Sequence, residues 1–487
     1  MLSYTDNNAL THSTTGCGRV DFFFKVTRDT NKDDLYRLLE QSWRESHIDS
    51  LKLIFHLRDC RGGKGEKKQF HNCLLWLLNK SVDDLKINLP NVPFFGYYKD
   101  LLVLLGTDLE DQVLDIFASR LMEDKKLLVT DDKYNITLVA KWAPTEGCSY
   151  DRQFSVVKKL THKMNITNHV YRKYYLVPLR EHLRVVEQQM CAGKWKEIDF
   201  SKIPSVALFR YKKAFKKHCS EQYQEFLNKV KSHQTKMNTG QLQPHEILSS
   251  YFTSLSSSSL TCPIDETLEI TWQQYINQLK SKTRLRRSLA VVDVSGSMSS
   301  NNNLPYRVAI SLGLIIAEMN EEPFNRKWIT FSDSPSLETI TGASVHEQIN
   351  NMLKSHWSMN TNVQAVFDLI LNCAKMHQLQ PDQMIETIYI LSDMQFDTAC
   401  RNNDKTNLEV IDEKYKLFGY KRPTIIFWSI DSKKIDFPAT MNEQNVALIS
   451  GFSPDLLNLI VAGDNISPYN MMRKAIDNQR YNVIKTT

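Results

Sequence analysis

The feature that most constrains this fold is a change of hydrophobic period near residue 288. From about residue 31 to 250, apolar residues recur at spacings of three and four, which on a helix gathers them on one face. Leu35, Leu38, Leu39 and Trp43 make one such face, Ile48, Leu51, Ile54, Phe55 and Leu57 a second, and Phe70, Cys73, Leu74, Leu77 and Leu78 a third. Leu109, Val113, Ile116 and Phe117 continue the pattern, followed by a helical segment expected over Val170 to Val186. From Ser288 onward, short apolar runs at 289–292, 328–331, 387–391, 424–428 and 446–449 read as strands. They alternate with helical patterns at 304–319, 345–355, 363–376 and 407–418, and another helix is expected after Ser453. Helix pairs without strands predict an irregular α-helical array or solenoid, and strand–helix alternation predicts a doubly wound α/β domain with a parallel sheet. Ligands of such sheets bind at the carboxyl ends of the strands. The expected division is an N-terminal extension over 1–30, a helical domain over 31–250, a linker and connecting helix over 251–287, and an α/β domain with a C-terminal helical extension over 288–487. The serine-rich stretch 249–259 marks the boundary, and the basic cluster Lys282, Arg284, Arg286 and Arg287 precedes the first strand.

That first strand ends in SLAVVDVSGSMS, residues 288–299. Asp293, Ser295 and Ser297 form an Asp-x-Ser-x-Ser arrangement that offers a carboxylate and two hydroxyls to a hard cation, and Gly296 permits a tight turn. Taken alone the pattern also suits a turn that caps a helix. Two more pieces fall at equivalent places: Asp393, in ILSDMQFD, follows the apolar strand Ile388–Leu391, and Thr361 in WSMNTN precedes a helix. Asp397, four residues past Asp393, reads as a solvated loop acid or a border of the same face.

Nine cysteines without a Cys-x-x-Cys pair suggest neither a disulfide framework nor zinc, and point to a reducing compartment. The first twenty residues lack the basic start and apolar core of a signal peptide, and no run approaches the ~20 apolar residues of a membrane span. The expectation is a soluble protein of the cytoplasm or nucleus with no membrane partner. Charge is uneven. Residues 1–287 carry 44 Lys+Arg against 33 Asp+Glu, a net of +11, whereas 288–487 carry 17 against 22, a net of −5. Residues 151–250 hold 19 basic and 8 acidic side chains, so a positive helical part with a polyanionic partner is expected. The glycine-rich RDCRGGKGEKK, residues 58–68, lacks both nucleotide-loop patterns and a preceding strand. It reads as a turn between helices whose basic residues can touch a polyanion. In LFRYKKAFKKH, Leu208, Tyr211 and Phe215 share one helical face and leave Arg210, Lys212, Lys213, Lys216 and Lys217 as a cationic stripe. Tyr171, Arg172, Lys173, Tyr174 and Tyr175 interleave aromatics with charge, as single-strand binders do.

The set Asp293, Ser295, Ser297, Thr361 and Asp393, in that order, resembles the metal-ion-dependent adhesion site of von Willebrand factor A domains. The resemblance covers about 200 residues and implies that three hydroxyls and two carboxylates, direct or through water, hold Mg²⁺. Met359 and Asn360 stand where that pattern usually has glycines. RDCRGGKGEKK, GYYKDLL at 96–102, KWAPTEG at 141–147, YRKYYLVPLR at 171–180, CAGKWKEIDFSKIPSVA at 191–207, WSMNTNVQAVFDLIL at 357–371 and GFSPDLLNLIVAG at 451–463 resemble a family of uncharacterised proteins from plants, fungi and large DNA viruses. That family is similar in plan to the Ro ribonucleoprotein, a HEAT-like helical ring joined to a von Willebrand A domain that binds misfolded and small noncoding RNAs.

The resemblances imply a non-catalytic RNA-binding scaffold, with Arg61, Lys64, Lys67, Lys68, Arg172, Lys173 and the 210–217 stripe as phosphate contacts. The alternative is a protein-interaction module that docks a partner's carboxylate on the metal without RNA. A metal-dependent hydrolase is the least favoured, since neither a second metal cluster nor a placed base is visible.

Overall fold

The computed structural model describes all residues except 1, 131–132, 241, 254, 257–258, 333, 356–360, 399–404, 432–433, 454–455, 458–459 and 461–464. In it the two periods become two kinds of packing. Helices Lys32–Glu45, His47–Arg58, Lys67–Lys80 and Glu110–Leu127 bury the faces their spacing predicts: Leu35, Leu38 and Trp43 on the first, Phe70, Leu74 and Leu77 on the third. Two of these starts are fixed locally, because the Asn31 side chain accepts the Asp34 N–H and the Ser46 side chain accepts the Asp49 N–H. The array is irregular, since single-turn segments at Val92–Phe95, Tyr98–Leu101 and Val139–Trp142 interrupt the longer helices. The segment expected as one helix over 170–186 is divided into Asn168–Val170, a π-helical Tyr171–Leu176 and Val177–His182. Pro178 has no N–H to return to the preceding turn, and the backbone widens just before it.

Strands β1 (Leu2–Tyr4) and β2 (Leu10–His12) form an antiparallel hairpin, and β3 (Leu255–Ser256) pairs with β4 (Ser259–Leu260). The remaining strands are β5 (Ser288–Val292), β6 (Lys327–Thr330), β7 (Leu337–Thr339), β8 (Thr387–Ser392), β9 (Thr424–Ser429) and β10 (Val446–Ser450). They form one sheet in the order β10-β9-β8-β5-β6-β7. All neighbours are parallel except β7, which runs antiparallel to β6. The sheet is therefore mixed, which corrects the all-parallel expectation. Leu337-Glu338-Thr339 is a short edge strand with no apolar alternation to reveal it, and both of its ends are exposed.

Alternate residues of the central strands enter two different cores. Leu289, Val291, Ile388, Ile390, Ile425 and Phe427 pack with helices Val363–Met376 and Asn407–Leu417. Ala290, Val292, Leu391, Ile426 and Trp428 pack with helices Ser300–Met319, Val345–Leu353 and Pro468–Ile476, in a core that continues into the helical array. The serine-rich boundary lies on this shared core: Ser249–Phe252 is a helical turn with Tyr251 and Phe252 buried, and the Tyr251 hydroxyl donates to Glu269 at 2.8 Å. A third, separate core joins Val186, Phe200, Phe215, Tyr223 and Leu227 under the lysine-rich helix Ser205–His218. Among the described residues no helix is long and apolar enough to cross a membrane.

Candidate functional site

At the carboxyl end of β5 the chain must leave the sheet, and Asp293 is the first residue to do so, with its N–H still donating to the Leu391 carbonyl of β8 at 3.0 Å. Its buried carboxylate accepts the Ser295 N–H at 2.9 Å and the Ser392 hydroxyl at 2.5 Å. Ser295 and Ser297 hydroxyls share a hydrogen bond of 2.9 Å. Asn301, Asn302 and Asn303 take left-handed backbone angles (φ 47, 57 and 61°), so the regular helix begins at Leu304. Asparagine tolerates that region best among residues with a side chain. From β8, Asp393 is buried and accepts the Gln395 N–H at 3.2 Å. Burial first, and the Asp393 charge second, push the Asp293 carboxyl up to about 7, against hydrogen bonds from Ser392 and Ser295.

Thr361 stands slightly apart. Its hydroxyl donates to the Gln395 carbonyl at 2.6 Å, its N–H donates to Asp397 at 3.0 Å, and it connects to Asp393 through Gln395. Met359 and Asn360, which precede it, lie outside the described residues. Asp397 is thus a half-buried anchor for the Thr361 backbone and not a free loop acid. Residues without any motif complete the arrangement. The hairpin tip between β1 and β2 lies over the same edge, where Asn7 Nδ2 reaches the Gln395 carbonyl at 2.9 Å, Asp397 at 3.0 Å and the Thr361 hydroxyl at 3.3 Å. The Gln395 side chain accepts the Asp6 N–H at 2.8 Å and donates to Asp436 at 3.1 Å, and Asp436 pairs with buried Lys25 at 3.1 Å. Nothing local in the sequence marks Gln395 or Asn7, because the contacts that bring the hairpin tip to Gln395 span 388 and 389 positions.

The donor chemistry fits a small divalent ion: two adjoining buried carboxylates and two hydroxyls, all hard oxygens. Among the described residues no lysine or arginine pairs with Asp293, so its charge lacks a protein counter-ion.

The basic motif of the helical part forms a second feature. RDCRGGKGEKK joins helices His47–Arg58 and Lys67–Lys80, and a Cβ at Gly63 would strike the His56 carbonyl oxygen. The loop lines a cavity of about 880 Å³, together with Arg28, Arg58, His71 and Tyr97. Lys67 and Lys68 are exposed on it, and neither has an ion-pair partner among the described residues. Arg58 and His71 converge on buried Asp100 at 2.8 and 3.0 Å. Burial opposes ionisation of Asp100, but the His71 hydrogen bond and the Arg58 charge outweigh it and hold the carboxyl below its usual range.

The other basic positions separate into two groups. Lys64 is a correction: it is 2% exposed, and its ammonium donates to the Val26 carbonyl at 3.0 Å, to Ser450 Oγ at 2.7 Å and to the Phe23 carbonyl, which removes it from any RNA-facing surface. Lys212 is half-buried and pairs with Asp265 at 3.0 Å, with Lys216 beside it at 3.6 Å. Arg210, Lys213 and Lys217, spaced by three and four, are exposed and form the stripe that remains. Arg172 and Lys173 are exposed, as is Arg61, which donates to the Phe94 carbonyl at 2.8 Å. Tyr171 is a core residue whose hydroxyl donates to the Pro144 carbonyl at 2.9 Å, whereas Tyr174 is 52% exposed.

Comparison with known proteins agrees with the two-part organisation. Residues 5–115 and 107–285 match a family model described as a domain of unknown function, DUF2828, and residues 287–485 match another, DUF7788. The chain is 31% identical over 511 residues to the uncharacterized protein L728 of Acanthamoeba polyphaga mimivirus, across 98% of this chain and 87% of that one. A solved structure with some likeness is the Ro (RSR) protein of Deinococcus radiodurans, at a TM-score of 0.49 and 14% identity, covering 95% of this chain and 100% of that one.

Proposed function

This chain belongs to the DUF2828 family, whose description names no activity, and on the strength of its own surfaces we propose that it is a non-catalytic scaffold holding single-stranded RNA in its helical part. The observation that carries this reading is the cavity of about 880 Å³ lined by the RDCRGGKGEKK turn, where Lys67 and Lys68 offer free ammonium groups beside Tyr97. Phosphate binding draws its affinity from released counterions, and the Tyr97 ring, packed against the Arg58 guanidinium and Trp142, forms part of the wall. The exposed Arg210, Lys213 and Lys217 extend the positive surface beyond the cavity. The test is binding of a labelled single-stranded RNA at several salt concentrations. Affinity is expected in the submicromolar range at low salt and to fall steeply as salt rises. Lys67→Glu with Lys68→Glu should flatten the log–log salt slope by about 1.4, two contacts at about 0.7 each. Affinity no better than micromolar at low salt, or a slope untouched by the double variant, would sink the reading.

A second reading is favoured by the pair of buried carboxylates. The C-terminal sheet is here read as a von Willebrand A-type domain in which Asp293, Ser295, Ser297 and Asp393, with Thr361, hold Mg²⁺ and leave a position for a partner's carboxylate. The ion would supply a positive charge beside Asp293, which no lysine or arginine pairs with among the described residues. Burial raises the folded pKa of Asp293 above its unfolded value, so its contribution is most favourable below about 4 and is lost as pH rises through about 7. Asp293→Asn should therefore stabilise the EDTA-treated protein, and by more as pH rises between those limits. Added Mg²⁺ should raise the melting temperature of the wild type at pH 8 and leave the variant unchanged. A Mg²⁺ response equal in both proteins counts against the site.

A further inference from the structure

The basic run before β5 belongs to neither feature above. It lies at the opposite, amino-terminal edge of the sheet, where β5, β8 and β9 begin in register at Ser288, Thr387 and Thr424. The three segments leading into those strands, 284–287, 384–386 and 421–423, wall a cleft of about 780 Å³. Arg284, Arg286 and Arg287 line one part of it and Lys421 and Arg422 another, against two lining carboxylates among the described residues, Glu321 and Glu386. This excess of positive charge sits on the edge of a chain segment, 288–487, whose own net charge is −5.

The cations are held in two ways. Arg287, with a left-handed backbone (φ 43°), pairs with Glu386, and Arg286 pairs with Glu321 at 3.4 Å. Arg422 is fixed by Asp412 and by the carbonyls of Pro423, Asn445 and Gln444 at 3.0 to 3.2 Å. Arg284 and Lys421 are exposed and have no ion-pair partner among the described residues. Like charges gathered in one concave place repel one another until an anion enters. The cleft also has an apolar side, with Met384, Ile385 and Ile466 in its lining and Leu285 and Tyr389 buried beneath. Its volume lies in the range of small-ligand sites.

We propose that this cleft binds a nucleoside polyphosphate, with the phosphates between Arg284, Arg287 and Lys421 and the base against Met384, Ile385 and Ile466. A guanidinium engaged by a carboxylate on one edge keeps donors for a phosphate on the other. A ligand made only of phosphates would leave the apolar side unused, and an uncharged one would leave Arg284 and Lys421 without a counter-charge.

The test uses the full chain in EDTA, which removes divalent metal from the sheet's other end, with fluorescent ADP as probe and AMP, adenosine and pyrophosphate as competitors. The expected result is saturable binding, competition in which AMP, adenosine and pyrophosphate are each weaker than ADP, and a loss of about tenfold or more in Arg284→Glu/Lys421→Glu. The melting temperature of that variant and its affinity for single-stranded RNA should match the wild type. Absence of saturation up to millimolar probe, or binding unchanged in a folded double variant, overturns the site. Pyrophosphate competing as well as ADP overturns the base contact, and displacement of the probe by RNA would make the cleft an RNA contact instead.

Discussion

Lys64 lies within a run of basic residues, yet its ammonium reaches no solvent. It serves two carbonyls, Phe23 and Val26, at the end of helix Gly18–Lys25, where the last turn leaves acceptors without an intrahelical donor. Through Ser450 Oγ it also holds the end of β10. Burial pushes its pKa down from 10.5 to about 7. A folded pKa below the unfolded one means that its contribution is fullest above 10.5 and declines as pH falls toward 7. Lys64→Met should therefore be less stable than the wild type by about 2–3 kcal/mol near pH 10, where the neutral amine still offers two N–H donors to those buried acceptors and methionine offers none. That gap should narrow toward pH 7 in urea melts, with RNA affinity per folded molecule unchanged. A gap that widens as pH falls would mean that the ammonium stays charged inside. Residue types and spacing made Asp293, Ser295 and Ser297 legible, because the strand end and the turn are local. For Lys64 the same reasoning failed, since its neighbours in the chain are solvated cations and its partners are not its neighbours.

The strands of the sheet were legible to within about a residue wherever an apolar run was bounded by turn residues, as in β5, β8, β9 and β10. Helix Val363–Met376 coincides with its expected span, and Asn362 caps it by accepting the Ala365 N–H at 3.0 Å. Two of the elements that escaped notice share a reason. The edge strand β7 and the hairpin β1–β2 are three residues per strand, too short for a period to repeat. The hairpin is held in place less by its own pairing than by its tip on the carboxyl edge of the sheet: Asn7 spans Thr361, Gln395 and Asp397, and Thr5 donates to the Phe396 carbonyl at 2.8 Å. Asn7→Ala removes three acceptors' donor and should cost about 1–2 kcal/mol. Hydrogen exchange of peptides covering 393–398 should accelerate more than that of the β5 peptide, and equal exchange in both proteins would show that the loop does not depend on the hairpin.

Across the whole molecule the chain ends bind the parts together. Helix Gly18–Lys25 is buried between the helical array and the sheet, with Phe22 and Phe23 in one core and Phe24 in the other. Arg19 and Arg473, from near opposite ends of the chain, both pair with Asp49, at 2.6 and 2.7 Å. Arg480 and Tyr481 close on Asp59 inside the RDCRGGKGEKK turn, at 2.6 and 3.1 Å. The stretch 249–259, read as a linker, carries part of the shared core, because serine density reports polarity along the chain and not what the intervening Tyr251 and Phe252 meet in space.

The sequence by itself determined the helical and α/β periods, the oxygen donors at the carboxyl end of β5, and the positive balance of the first 287 residues, all properties carried by neighbours in the chain. Only the tertiary structure decided which cations face solvent, which acids share a buried edge, and that one core spans both parts. Those outcomes depend on contacts such as Lys64 to Ser450 and Lys25 to Asp436, 386 and 411 positions apart, and no local pattern encodes a partner at that distance.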